Sequence, residues 1–341
     1  MKRIDEKLAR IQGGRYAPSD FIIADAKDGD MGFGLAGAGP HREADGRSTR
    51  YRTREEFLNQ IRNVVRQEVV DLVLVSASNL ERLAEEGLFD NSPVKPAVRV
   101  NDTTDIWRLR GARYHESPSR PFRSASLSRV MYGTPVPPAA DAAVTGTDLG
   151  LYSVTFNNLA EADLASLEAF AAFRAEAAAL GFKYFLEIFN PNMDVGLAPE
   201  QVGEYVNDCI LRCLAGVTKA DRPQFLKIVY NGPRVLEELA SFDPSLVIGV
   251  LGGGAGTTRD AFELLQQAER HGARVALFGR KINLAESPLA ILALMRRVIE
   301  GALTPTEAVR SYHAELQKRG LTPARLLEDD LIVTELVLKR G

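Results

Sequence analysis

A cluster of charged residues follows the first apolar run of the chain. The stretch FIIADAKDGDMGFG, residues 21–34, begins as a buried strand and then carries Asp25, Lys27, Asp28 and Asp30. Burying a charge without a partner costs several kcal/mol or more, so these side chains need partners or a function. Carboxylates beside a lysine at the end of a strand are suited to proton exchange with a substrate.

A lysine also interrupts the apolar run FLKIVY at residues 225–230. Side chains alternate along a strand, so Lys227 faces inward if Leu226 and Ile228 face surrounding helices. A lysine held among apolar neighbours is a nucleophile towards carbonyl groups, and one nearby carboxylate can then move protons. The purely structural alternative is a buried ion pair of Lys227 with Asp25 or Glu187.

Alternation predicts more inward polar side chains near the ends of the strands. It places Asp25 and Lys27 on one face of the first strand, with Ile22 and Ala24 on the other. The other predicted inward polar residues are Glu187 in YFLEIF, Arg99 and Asn101 on the third strand, and Ser153 and Thr155 on the fourth. Of these, Arg99, Asn101 and Ser153 are predicted to contact the substrate.

Two glycine-containing turns predict an anion site. VIGVLGGGAGTT ends a strand in glycines just before the helical pattern TRDAFELL, and ALFGRKI follows on the next strand. Exposed backbone N–H groups and the positive end of a helix dipole favour phosphate there. The predicted phosphate-binding residues are Gly252, Gly253, Gly254, Thr257 or Thr258, Gly279 and Arg280.

These residues are positioned by short apolar runs that alternate with helical periodicity, which is typical of βαβ units and a parallel sheet. The predicted strands are 20–26, 70–76, 95–101, 149–155, 182–188, 224–230, 246–251 and 274–278. Eight strands with interleaved helices predict a TIM (β/α)8 barrel, with a doubly wound open sheet as the alternative. We predict one domain over residues 1–341, with an N-terminal helix in residues 1–19.

Two predicted connections are unusually long, from residue 29 to about 52 and over residues 107–148, where we place no helix. Long ordered loops are commonly functional. The second is an insertion after the third strand, and its arginines are Arg108, Arg110, Arg113, Arg120, Arg123 and Arg129. This segment is either an anion-grasping lid or a solvated or inter-subunit segment.

Composition excludes several classes of function. The net charge of −3 gives no electrostatic case for nucleic acid or an anionic membrane, and no apolar stretch approaches the roughly 20 residues of a membrane span. Cys209 and Cys213 lie four apart in a helical pattern, and we interpret them as buried thiols of a cytoplasmic protein. The histidines lack metal-ligand spacing, so we predict no metal.

Together these motifs resemble the metal-independent, Schiff-base class I aldolases, which include archaeal-type fructose-bisphosphate, tagatose-bisphosphate and deoxyribose-phosphate aldolases. FLKIVYNGP is similar to that family's sixth strand, whose imine-forming lysine maps onto Lys227. GGGAGT and FGRKI resemble its phosphate-binding loops. IIADAKDG resembles its first strand, which ends in an aspartate near the lysine; Asp25 is the best match and Asp28 the second.

The resemblance implies an enzyme that cleaves or forms a carbon–carbon bond of a phosphorylated ketose or related 2-oxo compound. We expect no cofactor, a small sugar phosphate as ligand, and a homo-oligomer. Fructose-bisphosphate members carry a tyrosine at the end of the fifth strand for proton transfer, whereas LEIFNPN has Phe189 there. Glu187 is then the predicted proton carrier, with Asp25 as the alternative, and Lys27 either balances charge or contacts an oxygen of the substrate. The arginine-rich insertion is foreign to the family.

A second resemblance competes. DAKDGD satisfies Asp-x-Lys-x-x-Asp, the motif of orotidine-monophosphate and ketogulonate-phosphate decarboxylases, in which a lysine protonates a carbanion or enediolate without an imine. That motif lies on the third strand of those enzymes, whereas only twenty residues precede it here. An isomerase or other lyase on the same barrel and a non-catalytic sugar-phosphate-binding protein remain as further alternatives.

Overall fold

Eight parallel strands form a closed barrel in the computed structural model, which describes residues 2–42, 48–139, 142–254 and 256–340. The strands are β1 (Ile22–Lys27), β2 (Leu72–Val75), β3 (Lys95–Arg99), β4 (Leu149–Thr155), β5 (Lys183–Phe189), β6 (Leu226–Ile228), β7 (Ile248–Leu251) and β8 (Val275–Phe278). Because β1 pairs with both β2 and β8, the sheet has no edge. The predicted TIM barrel is confirmed, and the open sheet is wrong.

Helices surround the barrel and connect its strands. They are α1 (Arg3–Gln12), α2 (Gly29–Phe33), α3 (Arg54–Gln67), α4 (Ala77–Glu85), α5 (Leu127–Tyr132), α6 (Ala160–Leu180), α7 (Val202–Leu214), α8 (Pro233–Phe242), α9 (Thr258–Arg270), α10 (Arg280–Leu284), α11 (Pro288–Ile299), α12 (Pro305–Lys318) and α13 (Leu327–Asp330). The short α5 lies in the insertion, where the sequence predicted no helix, and it buries Leu127, Val130 and Met131. No helix within these described ranges is both long and apolar enough to cross a bilayer.

Alternate side chains of each strand enter two separate apolar clusters. Ile22 and Ala24 of β1 belong to the cluster inside the barrel, together with Leu72 and Leu74 of β2. Ile23 belongs to the outer cluster, between the strands and the helices. This division fixes which face of each strand points towards the barrel axis. It therefore also fixes which side chains reach the mouth of the barrel, the opening at the C-terminal ends of the strands.

Helix α1 closes the N-terminal end of the barrel. Ile4 and Leu8 are buried and belong to the same cluster as the barrel-interior side chains. Asp71, just before β2, accepts hydrogen bonds from Arg3 and Lys7 of α1 and from Arg296 of α11. The charged pattern of the N-terminus therefore reflects a helix that covers an apolar barrel and pairs its cations with a buried carboxylate.

The insertion after β3 begins with a two-stranded ribbon, in which Asp102–Thr103 pairs antiparallel with Pro121–Phe122. The ring of Trp107 stacks on Tyr114 at a centroid distance of 4.3 Å and also packs against Phe122. Aromatic packing of this kind stabilises a loop that has little regular structure of its own.

The segment after α12 returns to the N-terminus of α9. Asp330 Oδ1 accepts a hydrogen bond from the Thr258 amide at 2.7 Å, and the Thr257 hydroxyl donates to the Ile332 carbonyl at 2.7 Å. The Thr334 hydroxyl donates to Asp260, which also accepts from the Thr257 amide. The first turn of α9 is therefore capped by carboxylates and held by this segment.

Candidate active site

Four polar side chains meet on the inward face at the C-terminal ends of neighbouring strands. Ser153, Glu187 and Lys227 lie side by side in the register of β4, β5 and β6. Lys227 Nζ lies 2.5 Å from Glu187 Oε1, and Ser153 donates to Glu187 Oε2 at 2.7 Å. Arg99 donates to Ser153 at 2.8 Å and to Glu187 Oε2 at 3.2 Å. The predicted inward positions of these four side chains are confirmed.

Asp28 completes this cluster from the end of β1. It continues the inward alternation of Ile22 and Ala24, and its carboxylate accepts a hydrogen bond from Arg99 Nε at 2.5 Å. Burial alone would raise the pKa of Asp28, but the Arg99 guanidinium and the Lys227 ammonium hold it below the ordinary value. The sequence comparison gave Asp28 as the second match to the family's aspartate, after Asp25. Asp28 is therefore the aspartate of this segment whose charge is close to Lys227.

The predicted orientation of Asp25 and Lys27 is wrong. They alternate with Ile22 and Ala24, which fill the barrel interior, so they face the outer layer and not the mouth. Each is the other's ion-pair partner, with Lys27 Nζ 3.3 Å from Asp25 Oδ2 and both side chains fully buried. Burial raises the pKa of Asp25 and lowers the pKa of Lys27. Buried polar residues of a barrel strand need not face the mouth, because these two neutralise each other behind the strand.

The Asp-x-Lys-x-x-Asp motif is not assembled around one site. Asp25 and Lys27 lie in the outer layer. Asp30 accepts hydrogen bonds from Ser76 at 2.6 Å and Asn79 at 3.0 Å, at the start of α4. Because the charges of the motif do not converge on the mouth, this geometry gives no support to the decarboxylase alternative.

Asn101 stabilises the backbone, in contrast to its predicted contact with substrate. Its side-chain amide donates to the Ser153 carbonyl at 2.8 Å and accepts from the Ser153 amide at 2.6 Å. Both polar atoms therefore extend the pairing of β3 with β4.

The loops after β7 and β8 meet at the mouth. Arg280 Nη2 donates to the Gly253 carbonyl at 2.9 Å, and Arg280, Gly253 and Gly254 are exposed. A Cβ on Gly252 would lie 2.5 Å from the ring of Phe278, and Gly253 has φ +62°, so both positions require glycine. Gly279 lies at the start of α10. These glycines and Arg280 form the predicted pair of adjacent loops.

Thr257 differs from its predicted role. Its hydroxyl donates to the Ile332 carbonyl and accepts from the Asp260 amide, and the residue is buried. The Thr258 amide is bonded to Asp330, and its hydroxyl accepts from Lys281. Both threonines are therefore engaged in capping α9 and in holding the segment that follows α12, a long-range contact that local sequence does not reveal.

The two long loops pack against each other over the mouth. The Arg108 amide donates to the Gly32 carbonyl at 2.7 Å. Asp105 accepts from Thr155, on the inward face of β4, at 3.1 Å. Three of the insertion's arginines pair with surface carboxylates: Arg113 with Glu116, Arg120 with Glu161 and Arg123 with Glu176. The insertion is therefore placed as a cover, but these three guanidinium groups are not directed at the mouth.

Asp102, which the sequence argument did not single out, also lies at the mouth. It follows β3 closely, is 3% exposed, and its Oδ1 lies 3.4 Å from Arg99 Nη1. Burial raises the pKa of Asp102 to about 7, against the opposing effect of Arg99 and with further increases from Asp28 and Glu187. The available signal was the polar run NDTTD immediately after a buried strand, but the burial of Asp102 depends on how the insertion folds.

Phe189 ends β5 on the same face as Glu187, so the position that carries a tyrosine in the resembling family is inward here but has no hydroxyl. Among the residues the structure describes, no group of three or more His, Cys, Asp or Glu side chains is arranged to hold a metal ion. Cys209 and Cys213 are free thiols, and Cys213 is buried.

Solved structures with the same fold include archaeal fructose-1,6-bisphosphate aldolases. One is 14% identical, covers 87% of this chain and 99% of its own, and superposes with a TM-score of 0.58. Another, with its catalytic lysine covalently bound to the carbinolamine intermediate of the substrate, is 15% identical, with coverages of 87% and 100% and a TM-score of 0.59.

A protein from Corynebacterium glutamicum is also similar, at 19% identity, with coverages of 88% and 94% and a TM-score of 0.57. No protein-family model matches the chain, and no curated protein gives a significant sequence match. At these identities the structural likeness shows the fold alone.

Proposed function

We propose that this protein is a Schiff-base lyase that cleaves or forms a carbon–carbon bond of a phosphorylated ketose or related 2-oxo compound. The observation that carries the proposal is the position of Lys227, which is inward on β6, buried, and 2.5 Å from Glu187. Barrel enzymes of this fold place their catalytic groups at the C-terminal ends of the strands.

Lys227 acts as the nucleophile in this proposal. A free amine must attack the carbonyl carbon, so the ammonium group first gives up a proton, and Glu187 Oε1 is within hydrogen-bonding distance to accept it. Glu187 returns this proton to the hydroxyl of the carbinolamine, which leaves as water and gives an iminium ion. That cation accepts the electron pair of the adjacent carbon–carbon bond as the bond breaks.

Arg280 and the loop after β7, which contains Gly253 and Gly254, bind the phosphate in this proposal. Arg280, Gly253 and Gly254 are exposed at the loops after β7 and β8, where TIM barrels frequently bind phosphate. Backbone N–H groups and a guanidinium together provide directional, charge-assisted hydrogen bonds to an anion. The likeness to archaeal aldolases supports the proposal, because one of them holds its substrate on a lysine of the same fold.

The test is reductive trapping across a panel of sugar phosphates and related 2-oxo acids. Borohydride with a turned-over compound should add the mass of its ketone fragment to a peptide containing Lys227. The Lys227→Met variant should give no adduct and no turnover. Lys183→Met, which changes an exposed lysine at the opposite end of β5, is the matched control and should keep both.

Two outcomes would contradict the proposal. One is demonstrable turnover by the wild-type protein without any covalent adduct, and the other is wild-type activity in Lys227→Met. Saturable binding of a sugar phosphate without adduct or turnover across the whole panel would favour the non-catalytic alternative.

A further inference from the structure

Three carboxylates and two cations share the mouth of the barrel. The carboxylates belong to Asp28, Glu187 and Asp102, and the cations to Arg99 and Lys227. All five side chains are buried. With one more negative than positive group, the cations cannot neutralise all three carboxylates at once.

Asp28 and Glu187 take the strong contacts. Asp28 accepts from Arg99 Nε at 2.5 Å. Glu187 lies 2.5 Å from Lys227 Nζ and accepts from Ser153 at 2.7 Å and Arg99 at 3.2 Å. These two carboxylates therefore hold the short, charge-assisted hydrogen bonds of the cluster.

The third carboxylate, Asp102, lacks such strong contacts. Within the described residues its Oδ1 is buried without a hydrogen-bond partner. Its nearest cation contact is the 3.4 Å separation from Arg99 Nη1. Burial raises the pKa of Asp102 to about 7, whereas the pKa of Asp28 is lowered by Arg99 and Lys227 against the effect of burial. Carboxylates whose environments separate their pKa values in this way divide the ionised and proton-carrying roles.

The proposed reaction needs such a proton carrier. Breaking a carbon–carbon bond beside a hydroxyl requires removal of the hydroxyl proton, and the enamine that forms must later receive a proton on carbon. Phe189 supplies no hydroxyl at the end of β5. Glu187 is bound by Lys227, Arg99 and Ser153 and, in the proposed mechanism, already exchanges the proton of the Lys227 amine, so the proton of the substrate needs a second carboxylate.

We propose that Asp102 carries this proton, an inference that rests on the proposed Schiff-base function. Its carboxylate takes the proton of the substrate hydroxyl while the carbon–carbon bond breaks, which releases an aldehyde and leaves a neutral enamine on Lys227. The carboxylic acid of Asp102 then returns the proton to the enamine carbon, which restores the iminium ion and the carboxylate. Water hydrolyses the iminium ion to release the ketone and the lysine amine.

The experiment compares Asp102→Asn with wild type in turnover, borohydride trapping and pH dependence. We expect turnover to fall by about 10²- to 10⁴-fold, the loss typical of a missing general acid–base group, while trapping at Lys227 persists. In wild type, cleavage needs the ionised carboxylate, so the rate should fall on the acid side of a midpoint near pH 7 that reflects the pKa of Asp102. Burial of Asp102 is the main cause of this midpoint, and the charges of Arg99, Asp28, Glu187 and Asp30 also act on it. This acid limb of the pH–rate profile should be missing from Asp102→Asn.

Asp105→Asn is the matched control. Asp105 is a buried aspartate of the same insertion, but its carboxylate accepts hydrogen bonds from Ser119 and Thr155. This variant should melt at a lower temperature but should keep the fall in rate on the acid side of pH 7. Wild-type turnover or an unchanged acid limb in Asp102→Asn would overturn the role of Asp102.

A second variant covers the case in which Asp102→Asn fails to fold. Asp102→Glu keeps a carboxylate, so it should retain part of the turnover and show the acid limb at a displaced midpoint. An acid limb at the wild-type midpoint in Asp102→Glu would overturn the proposal. Failure of the underlying Schiff-base function is seen separately, as the absence of an adduct from wild type.

Discussion

Replacing Asp71 by asparagine should destabilise the closure of the barrel by α1. The carboxylate is fully buried, and Arg3 Nε lies 2.6 Å, Lys7 Nζ 3.0 Å and Arg296 Nη2 2.9 Å from its oxygens. It also accepts from the Ile23 amide at 3.0 Å. Burial opposes ionisation, but Lys7 and Arg296 hold the pKa of Asp71 below its ordinary value.

The size of the effect follows from these contacts. Removing one partner of a buried ion pair costs about 3–5 kcal/mol, because the remaining charge stays buried without compensation. An unfolding entropy of about 2.1 cal/mol/K per residue corresponds to roughly 0.7 kcal/mol/K for a chain of 341 residues. Asp71→Asn should therefore lower the Tm by about 4–7 °C at pH 7.

Thermal melts followed by circular dichroism test this, with Asp243→Asn as the control. Asp243 pairs with Arg222 at 2.8 Å, but both side chains are partly exposed, and such a pair contributes less than about 1 kcal/mol. The folded-state pKa of Asp71 is lowered, so its stabilisation is present above its unfolded pKa, near 3.9, and disappears as the pH falls through the folded value. The difference in Tm between wild type and variant should stay constant from about pH 7 to 5 and shrink below about pH 4.

A melting temperature within about 1 °C of wild type would refute the argument that the buried carboxylate compensates these cations. A difference in Tm that persists unchanged as the pH falls far below the unfolded pKa of an aspartate would show that shape or hydrogen bonding, rather than the charge of Asp71, is responsible.

Two further predictions concern the mouth. Arg280→Ala should raise the KM for a phosphorylated substrate by about 10- to 150-fold, because a charge-assisted hydrogen bond contributes roughly 1.5–3 kcal/mol; steady-state kinetics with a dephosphorylated analogue should show a smaller change, and an equal loss for both would make Arg280 structural. Glu187→Gln should lower both the Tm and the yield of borohydride adduct, because Lys227 and Arg99 lose the carboxylate between them; unchanged melting and trapping would contradict that role.

The sequence predicted the barrel because its strands are apolar runs of the right length and order. Each of the eight predicted segments overlaps an observed strand, and alternation correctly oriented Arg99, Ser153, Glu187 and Lys227. On those strands the outward neighbours are large aliphatic or aromatic residues, so the two faces differ clearly in character. Alternation alone is then sufficient to identify the inward side chains.

On β1 alternation separated the two faces correctly, but the face predicted to point inward was the wrong one, for a physical reason. The residues of either face of that strand can be buried. Ile22 and Ala24 fill the interior of the barrel, and Asp25 and Lys27 neutralise each other on the opposite face. The sequence cannot distinguish two charged residues that contact a substrate from two that form an ion pair with each other. Asp28 was correspondingly placed second, although it is the aspartate that reaches Arg99.

Contacts between distant segments were the other source of error. The hydroxyl of Thr257 is engaged by Ile332, 75 residues later, and Asp102 is buried where the insertion folds against the mouth. Neither contact leaves a local periodicity or spacing. The roles of these residues are therefore set by tertiary structure that a one-dimensional pattern does not contain.

The support of the loop after β7 by the segment that follows α12 has a consequence for the order of biosynthesis. A ribosome makes the chain from its N-terminus, so all eight barrel strands precede Asp330, Ile332 and Thr334. The first turn of α9 meets these partners only after they have left the ribosomal exit tunnel. All eight strands of the barrel are thus synthesised before the residues that hold the part of the rim next to the loop after β7.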